Sequence, residues 1–237
     1  MTKLNPNEYS EYAKTLGMDL YGVADLSSAK DYIINQGGNH VGEFPRAISI
    51  GVRLIDDVVD QLINHQDIVT ITSYRGVYTA ANTALDRAAL MVARKIQEDE
   101  YKAYPIPASS MLNNGKLEGV LSHKLAAHLA GLGWIGKNCL LITPKHGPRV
   151  RLATVLTDAP LETGKPIPNR CGLCTKCIDI CPSKALLGAT FSPSDPRDKR
   201  FMAAKCDIYT TNRREKYGDV NCGLCVHICP FGNSEHS

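Results

Sequence analysis

Long apolar runs are missing from this chain of 237 residues, aromatic residues make up only 6% of it with a single tryptophan, and charge is nearly balanced at +3. Each shortage excludes something. No run approaches the roughly 20 apolar residues that a membrane-spanning helix needs. The opening Met1-Thr2-Lys3-Leu4-Asn5-Pro6 has no apolar stretch behind its basic residue, so neither membrane insertion nor secretion is expected. A net charge this small does not by itself mark a nucleic-acid-binding protein. With 43% apolar residues the chain can still bury a sizeable core, and its length suits one main domain with a smaller module. Cysteine, by contrast, is plentiful, at nine residues.

Eight of the nine cysteines fall in two runs. The first reads Cys171-x2-Cys174-x2-Cys177-x3-Cys181-Pro182, the spacing with which bacterial ferredoxins hold a 4Fe–4S cluster. The second, Cys222-x2-Cys225-x3-Cys229-Pro230, matches the last three positions; the place of the first falls on Asp219, and Cys206 stands in. In two-cluster ferredoxins the cysteine before each proline ligates the other cluster, because the proline ends the loop and turns the chain back. The expected sets are therefore Cys171, Cys174, Cys177 and Cys229 for one cluster, and Cys206, Cys222, Cys225 and Cys181 for the other. Zinc also takes four thiolates, but from two well-separated Cys-x2-Cys pairs. Three cysteines at three-residue intervals followed by Cys-Pro favour iron–sulfur, and with it a reducing, oxygen-poor cytoplasm rather than disulfides. Arg197, Lys199, Arg200, Lys205, Arg213, Arg214 and Lys216 crowd the segment between the runs. They compensate the negative charge of the clusters on a solvated face; a docking surface for an acidic redox partner or for RNA is the alternative.

Ahead of the cysteines the pattern is α/β. Helical spacing covers Asn7 to Leu16, Ala29 to Ile34, Ile55 to Ile63 and, with a stripe of Ala81, Leu85, Ala88, Ala89, Val92 and Ile96, residues Tyr78 to Glu98. A further helix is expected over Leu117 to Ala130, carrying His123 and His128. Strands are expected at Leu20 to Ala24, Ala47 to Val52, Tyr101 to Pro107, Cys139 to Thr143 and Leu152 to Thr157. Asp67 to Tyr74 fits neither period. Gly131-Leu132-Gly133-Trp134-Ile135-Gly136 contains the string G-x-G-x-x-G, yet it follows a helix and opens a strand, the reverse of a dinucleotide fingerprint. The proline- and glycine-rich stretch Pro160 to Pro168 marks the boundary between an α/β cofactor-binding domain, 1–160, and the cluster domain, 161–237. Cys139, beside Leu140 and Leu141, reads as a buried thiol.

The helix leading into Ala130-Gly131-Leu132-Gly133-Trp134-Ile135-Gly136-Lys137-Asn138, the strand ending Leu156-Thr157-Asp158, and the Cys-x2-Cys-x2-Cys-x3-Cys-Pro run together resemble epoxyqueuosine reductases and the related reductive dehalogenases. That resemblance implies a nitroreductase-like α/β (α+β) core that binds cobalamin, followed by a ferredoxin-like module with two 4Fe–4S clusters. It places the cofactor-binding residues at Ser109, Ser110, Gly133, Trp134, Ile135, Gly136, Lys137 and Asn138. An oxidoreductase is implied, fed by a low-potential donor of the ferredoxin or flavodoxin type. Two departures stand out. Where the family carries an Asp-Ser-Ala-like segment with a proposed proton-donating acid, this sequence reads Pro107-Ala108-Ser109-Ser110; and the helical-repeat tail of the tRNA-binding members does not follow the clusters. The sequence thus resembles a short form in which tRNA is an open question as substrate, and no catalytic residue is assigned. Two alternatives accompany this reading: an electron-transfer protein that reduces the corrinoid or flavin of a partner, and a reductase that binds flavin itself.

Overall fold

The structure is a computed structural model and describes residues 7–112, 114–193, 195–218 and 221–232. In chain order the elements are α1 (Glu8–Thr15), β1 (Leu20–Asp25), α2 (Lys30–Gly37), α3 (Asn39–Gly42), β2 (Arg46–Arg53), α4 (Asp56–Asp60), α5 (Ile68–Glu98), β3 (Ala103–Ile106), α6 (His123–Leu129), β4 (Trp134–Ile135), β5 (Leu141–Ile142), β6 (Val150–Thr157), α7 (Lys176–Asp179), α8 (Ala203–Tyr217) and α9 (Leu224–His227). The α/β expectation holds. No helix among the described residues is long and apolar enough to cross a membrane. The chain divides into two compact units, each drawn from three segments: Met1–Val52, Ala81–Gly133 and Arg151–Ile167 in one, Arg53–Ala80, Trp134–Val150 and Pro168–Ser237 in the other.

The first unit is built on a four-stranded sheet in the order β1-β2-β6-β3. β1 pairs antiparallel with β2, Leu20 opposite Gly51 through Asp25 opposite Arg46, and β3 pairs antiparallel with β6, Ala103 opposite Thr157 through Ile106 opposite Thr154. Successive side chains of a strand point to opposite faces, and the two cores show it. Val23, Ile48, Ile50 and Val155 pack with Leu85, Ala88, Val92 and Ile96 of α5 and with Tyr9 and Ala13 of α1. Their neighbours Ala24, Ala47 and Leu156 face a second cluster holding Ile33, Val41, Leu121, Ala126 and Ala130. Helices cover both faces, so β2 and β6 are buried along most of their length without alternation.

Several elements differ from the sequence pattern: of the strand expected at Cys139 to Thr143 only Leu141–Ile142 (β5) forms, because Cys139 turns at φ 58°, and β4 joins it unexpectedly. α5 begins at Ile68 and extends through residues that carry no apolar stripe, while α6 starts only at His123. Leu117 adopts a positive φ of 52°, which breaks any helix there, and Ser122 caps α6 by accepting the Leu125 N–H with Oγ. α6 then stops at Gly131 (φ 78°), where a β-carbon would fall against the Lys165 carbonyl.

His123 is half-buried and held by hydrogen bonds on both ring nitrogens. Its Nε2 lies 2.9 Å from the Pro107 carbonyl, which can only accept, so Nε2 carries the proton and Nδ1 accepts from the Thr154 hydroxyl at 2.8 Å. Burial, helped by Arg151, pushes the imidazole down to about 4, against the hydrogen bond to Pro107. The native state then binds fewer protons than the unfolded chain between that value and the usual histidine range, so this contribution to stability is whole above pH ~6.5 and is lost as pH falls towards 4. His123→Gln, which keeps a donor for Pro107 without titrating, is expected to flatten the decline in urea midpoint between pH 7 and 5; parallel curves for the two proteins would refute it.

Candidate metal centre

The second unit carries all eight clustered cysteines and the segments that fix them. Its scaffold is polar as well as apolar. Arg149, 1% exposed, places Nη2 2.5 Å from Asp60 and Nη1 3.3 Å from Asp56 of α4. The guanidinium is buried while its two carboxylate partners stay partly exposed, so losing either partner leaves a buried cation less compensated. Arg213 of α8, also buried, donates to the His65 carbonyl at 2.7 Å, and Tyr209 meets the same histidine's Nε2 at 3.2 Å. Arg200 is buried as well, its guanidinium 4.6 Å from the centre of the Phe191 ring. Of the seven basic residues expected on a solvated face, these two therefore have structural places, and Arg197, Lys199, Lys205, Arg214 and Lys216 remain at the surface.

The two cysteine loops share one local design. In the first, Asn169 accepts the Cys171 N–H with Oδ1 at 2.8 Å and donates through Nδ2 to the Ile135 carbonyl at 3.0 Å. The loop closes with Cys174 N–H on Cys171 O, passes Gly172 at φ 50°, and enters the single turn α7 with Cys177 as its second residue. In the second, Gly223 at φ 74° opens the single turn α9, whose second residue is Cys225. Ile178 N–H on Thr175 O in one loop corresponds to Val226 N–H on Gly223 O in the other, and each turn ends in Cys-Pro. Asp219, at the place of the missing first cysteine, lies outside the described residues.

The turns bring the cysteines together across the sequence. Cys171, Cys174, Cys177 and Cys229 line one small cavity, walled also by Lys137, Asn138, Ile142, Pro230 and Phe231. Burial pushes the Cys229 thiol up to about 12, and the neighbours that add to this are Cys171, Cys177 and Cys174; Cys177 is pushed up to about 11 by burial and then by Cys171 and Cys174. Cys206 rises to about 11 through burial, then Cys222 and Cys181. Cys225 is raised by burial first and by Cys222, Cys206, Cys181 and Cys177 next. Burial pushes Cys181 up too, but hydrogen bonds from Ser183 and from the backbone at Ala185 and Leu186 outweigh it and leave that thiol lowered. These neighbours are compatible with the two expected quartets, each containing the Cys-Pro cysteine of the other run. Thiols packed this closely resist ionisation unless a cation-bearing group is shared among them.

A cubane cluster fits this donor set. It takes four soft thiolates and no carboxylate or imidazole, and it needs space between them. The first quartet surrounds such a cavity. Cys139 stays apart, buried and at φ 58°.

The residues assigned to a corrin fall in both units. Ser109 and Ser110 are exposed at the end of β3 in the first unit, where Asp86 accepts the Ala108 N–H at 2.7 Å, and Gly133 closes that unit's second segment. Trp134, Ile135, Gly136, Lys137 and Asn138 belong to the second. Trp134 is 1% exposed and meets Phe231 edge to face at 4.8 Å. Lys137 Nζ donates to Gly172 O at 2.8 Å and Cys174 O at 3.2 Å, and Asn138 Nδ2 donates to Cys225 O at 3.2 Å. These three side chains are thus engaged with the cysteine loops. Asn169, Ile142 and Phe231 complete the site without having been expected there; only Asn169, two residues before Cys171, carried a sequence signal, the spacing of an Asx turn.

Comparison with known proteins bears on both units. Residues 170–232 match the family described as 4Fe-4S double cluster binding domain. The epoxyqueuosine reductase of Bacillus cereus is 28% identical over 249 residues, covering 92% of this chain and 62% of the relative. That of Bacillus subtilis is 29% identical, covering 96% and 64%. The chain thus spans just under two thirds of the length of these relatives. Among solved structures, an epoxyqueuosine reductase with an epoxyqueuosine-modified tRNA-Tyr stem loop superposes with TM-score 0.61 at 21% identity over 96% of this chain and 65% of that one. A reductive dehalogenase described in terms of B12-dependent dehalogenation gives 0.71 at 19% identity over 96% and 31%. The fold is therefore shared with both groups.

Proposed function

We propose that this chain, which is similar along most of its length to epoxyqueuosine reductases, is an iron–sulfur oxidoreductase holding two 4Fe–4S clusters. Cys171, Cys174, Cys177 and Cys229 hold one; Cys206, Cys222, Cys225 and Cys181 hold the other. The observation that carries this reading is the cavity lined by Cys171, Cys174, Cys177 and Cys229, which brings the second run's Cys-Pro cysteine to three thiols of the first. Each cluster takes and gives single electrons, and the protein sets its potential through burial and hydrogen bonding at the thiolates.

The electron acceptor in this reading is a bound corrinoid, supported by the fold shared with a protein described as B12-dependent. A corrinoid, when bound, would supply the low-potential cobalt chemistry. The protein's part is to bind and orient it, for which the Ser109 and Ser110 hydroxyls of the first unit are the candidates. Trp134, Lys137 and Asn138 are already committed to the cysteine loops, so these side chains do not fit a corrin site. The same commitment favours a second reading, in which the chain passes electrons to the corrinoid of a partner protein. A tRNA substrate rests on the relatives alone. The turn Ala108-Ser109-Ser110 offers no carboxylate, and we place an altered substrate or proton source there. The flavin alternative draws no support from the relatives.

Reconstitution without air in the presence of iron, sulfide and cobalamin, followed by metal analysis, separates these readings. About eight irons with one cobalt per chain is the outcome expected of the reductase. About eight irons without cobalt would move the assignment to electron transfer. About four irons or fewer would sink the two-cluster reading itself.

A further inference from the structure

Among the described residues, Lys137 is the one cation in the wall of the first quartet's cavity. A surface lysine ordinarily keeps its ammonium in water and lets only its stem pack. Here the residue is half-buried, and Nζ reaches across to the Cys171–Cys174 loop, donating to Gly172 O at 2.8 Å and Cys174 O at 3.2 Å. Those carbonyls lie on either side of Leu173. Two of the three ammonium donors are thereby committed, and they tie down a loop that supplies two of the four thiols. The next residue, Asn138, donates to Cys225 O in the other loop and accepts the Leu140 N–H, which holds the backbone from which Lys137 extends.

We propose that Lys137 is a positioning residue of the cluster held by Cys171, Cys174, Cys177 and Cys229. Its charge raises the reduction potential of that cluster, and its hydrogen bonds hold the Cys171–Cys174 loop in the geometry the cluster needs. The inference rests on the cluster reading above. Reduction adds one electron and no atom, so the cluster with its thiolates gains one negative charge. A fixed cation nearby lowers the energy of that reduced form more than of the oxidised one, because the interaction scales with the charge it meets. Removing the cation therefore makes reduction harder.

The test is a reductive titration of the reconstituted protein, followed by electron paramagnetic resonance, for wild type, Lys137→Gln and Lys137→Arg. In Lys137→Gln one of the two clusters is expected to become about tenfold harder to reduce, which for one electron is about 59 mV, while the other keeps its potential. Lys137→Arg, which retains charge and donors, is expected to restore the wild-type value. Loss of about four irons in the glutamine variant alone would support the same role through the loop. Unchanged potentials in Lys137→Gln, equal shifts of both clusters, or a glutamine-like arginine variant would overturn the proposal. A wild-type protein that retains no cluster would instead refute the cluster reading on which it rests.

Discussion

Cys181→Ala is expected to strip the cluster built on Cys206, Cys222 and Cys225 while leaving the cluster built on Cys171, Cys174 and Cys177, its own neighbours in sequence. Iron should fall from about eight to about four per chain, and the surviving resonance signal should be the one that Cys229→Ala removes. The expectation follows from the two quartets: Cys206 and Cys222 feel Cys181, whereas Cys229 feels Cys171, Cys174 and Cys177. Double variants make the contrast sharper. Cys177→Ala with Cys229→Ala touches a single quartet and should still leave about four irons; Cys177→Ala with Cys181→Ala, the closer pair in sequence, touches both and should leave none. The reverse pattern would mean that each run closes on itself and that the crossing is wrong. Circular dichroism on the same samples separates cluster loss from unfolding.

How much of this was legible in the sequence depends on how local the determining interaction is. The cysteine loops were legible because spacing, the one-turn helix and the proline that ends it all act within a dozen residues. The sheet strands β1, β2 and β6 were legible for a similar reason, since each is a short apolar run covered on both faces. The start of α5 was not. Residues 68–77 lack a stripe, yet Ile71 and Tyr74 are buried, and a β-carbon on Gly223 would strike Leu62 and Tyr74. That stretch is helical because the second cysteine loop packs on it, a contact with no local trace. The roles of Trp134, Lys137 and Asn138 were hidden in the same way: their partners are Phe231, Gly172, Cys174 and Cys225, far along the chain. Likewise Arg200 and Arg213 look like solvated charges until the aromatic ring and the carbonyl that receive them are in place.

The same long-range logic makes one glycine as important to the first cluster as a ligand. Gly147 closes the turn after β5: Thr143 N–H bonds to Gly147 O at 2.9 Å, Gly147 N–H returns to Thr143 O at 3.0 Å, and His146 N–H is held by Thr143 Oγ1 at 3.0 Å. Its φ is 53°, and a β-carbon there would fall on the backbone carbonyl of Phe231. Phe231 walls the cavity next to Pro230 and Cys229. Alanine would therefore cost the ~1–2 kcal/mol of the left-handed conformation, and would also push the Cys229 segment away from its quartet. Gly147→Ala is expected to retain about four irons rather than eight, losing the cluster that Lys137 adjoins. Gly218→Ala is the control: φ there is 72°, but the space around its β-carbon is open, so it should bear the conformational cost alone and keep both clusters. Equal iron in the two variants would show that Phe231 can give way without moving Cys229. Unequal iron would mean that this turn, with no metal-binding atom of its own, sets where the fourth thiol stands.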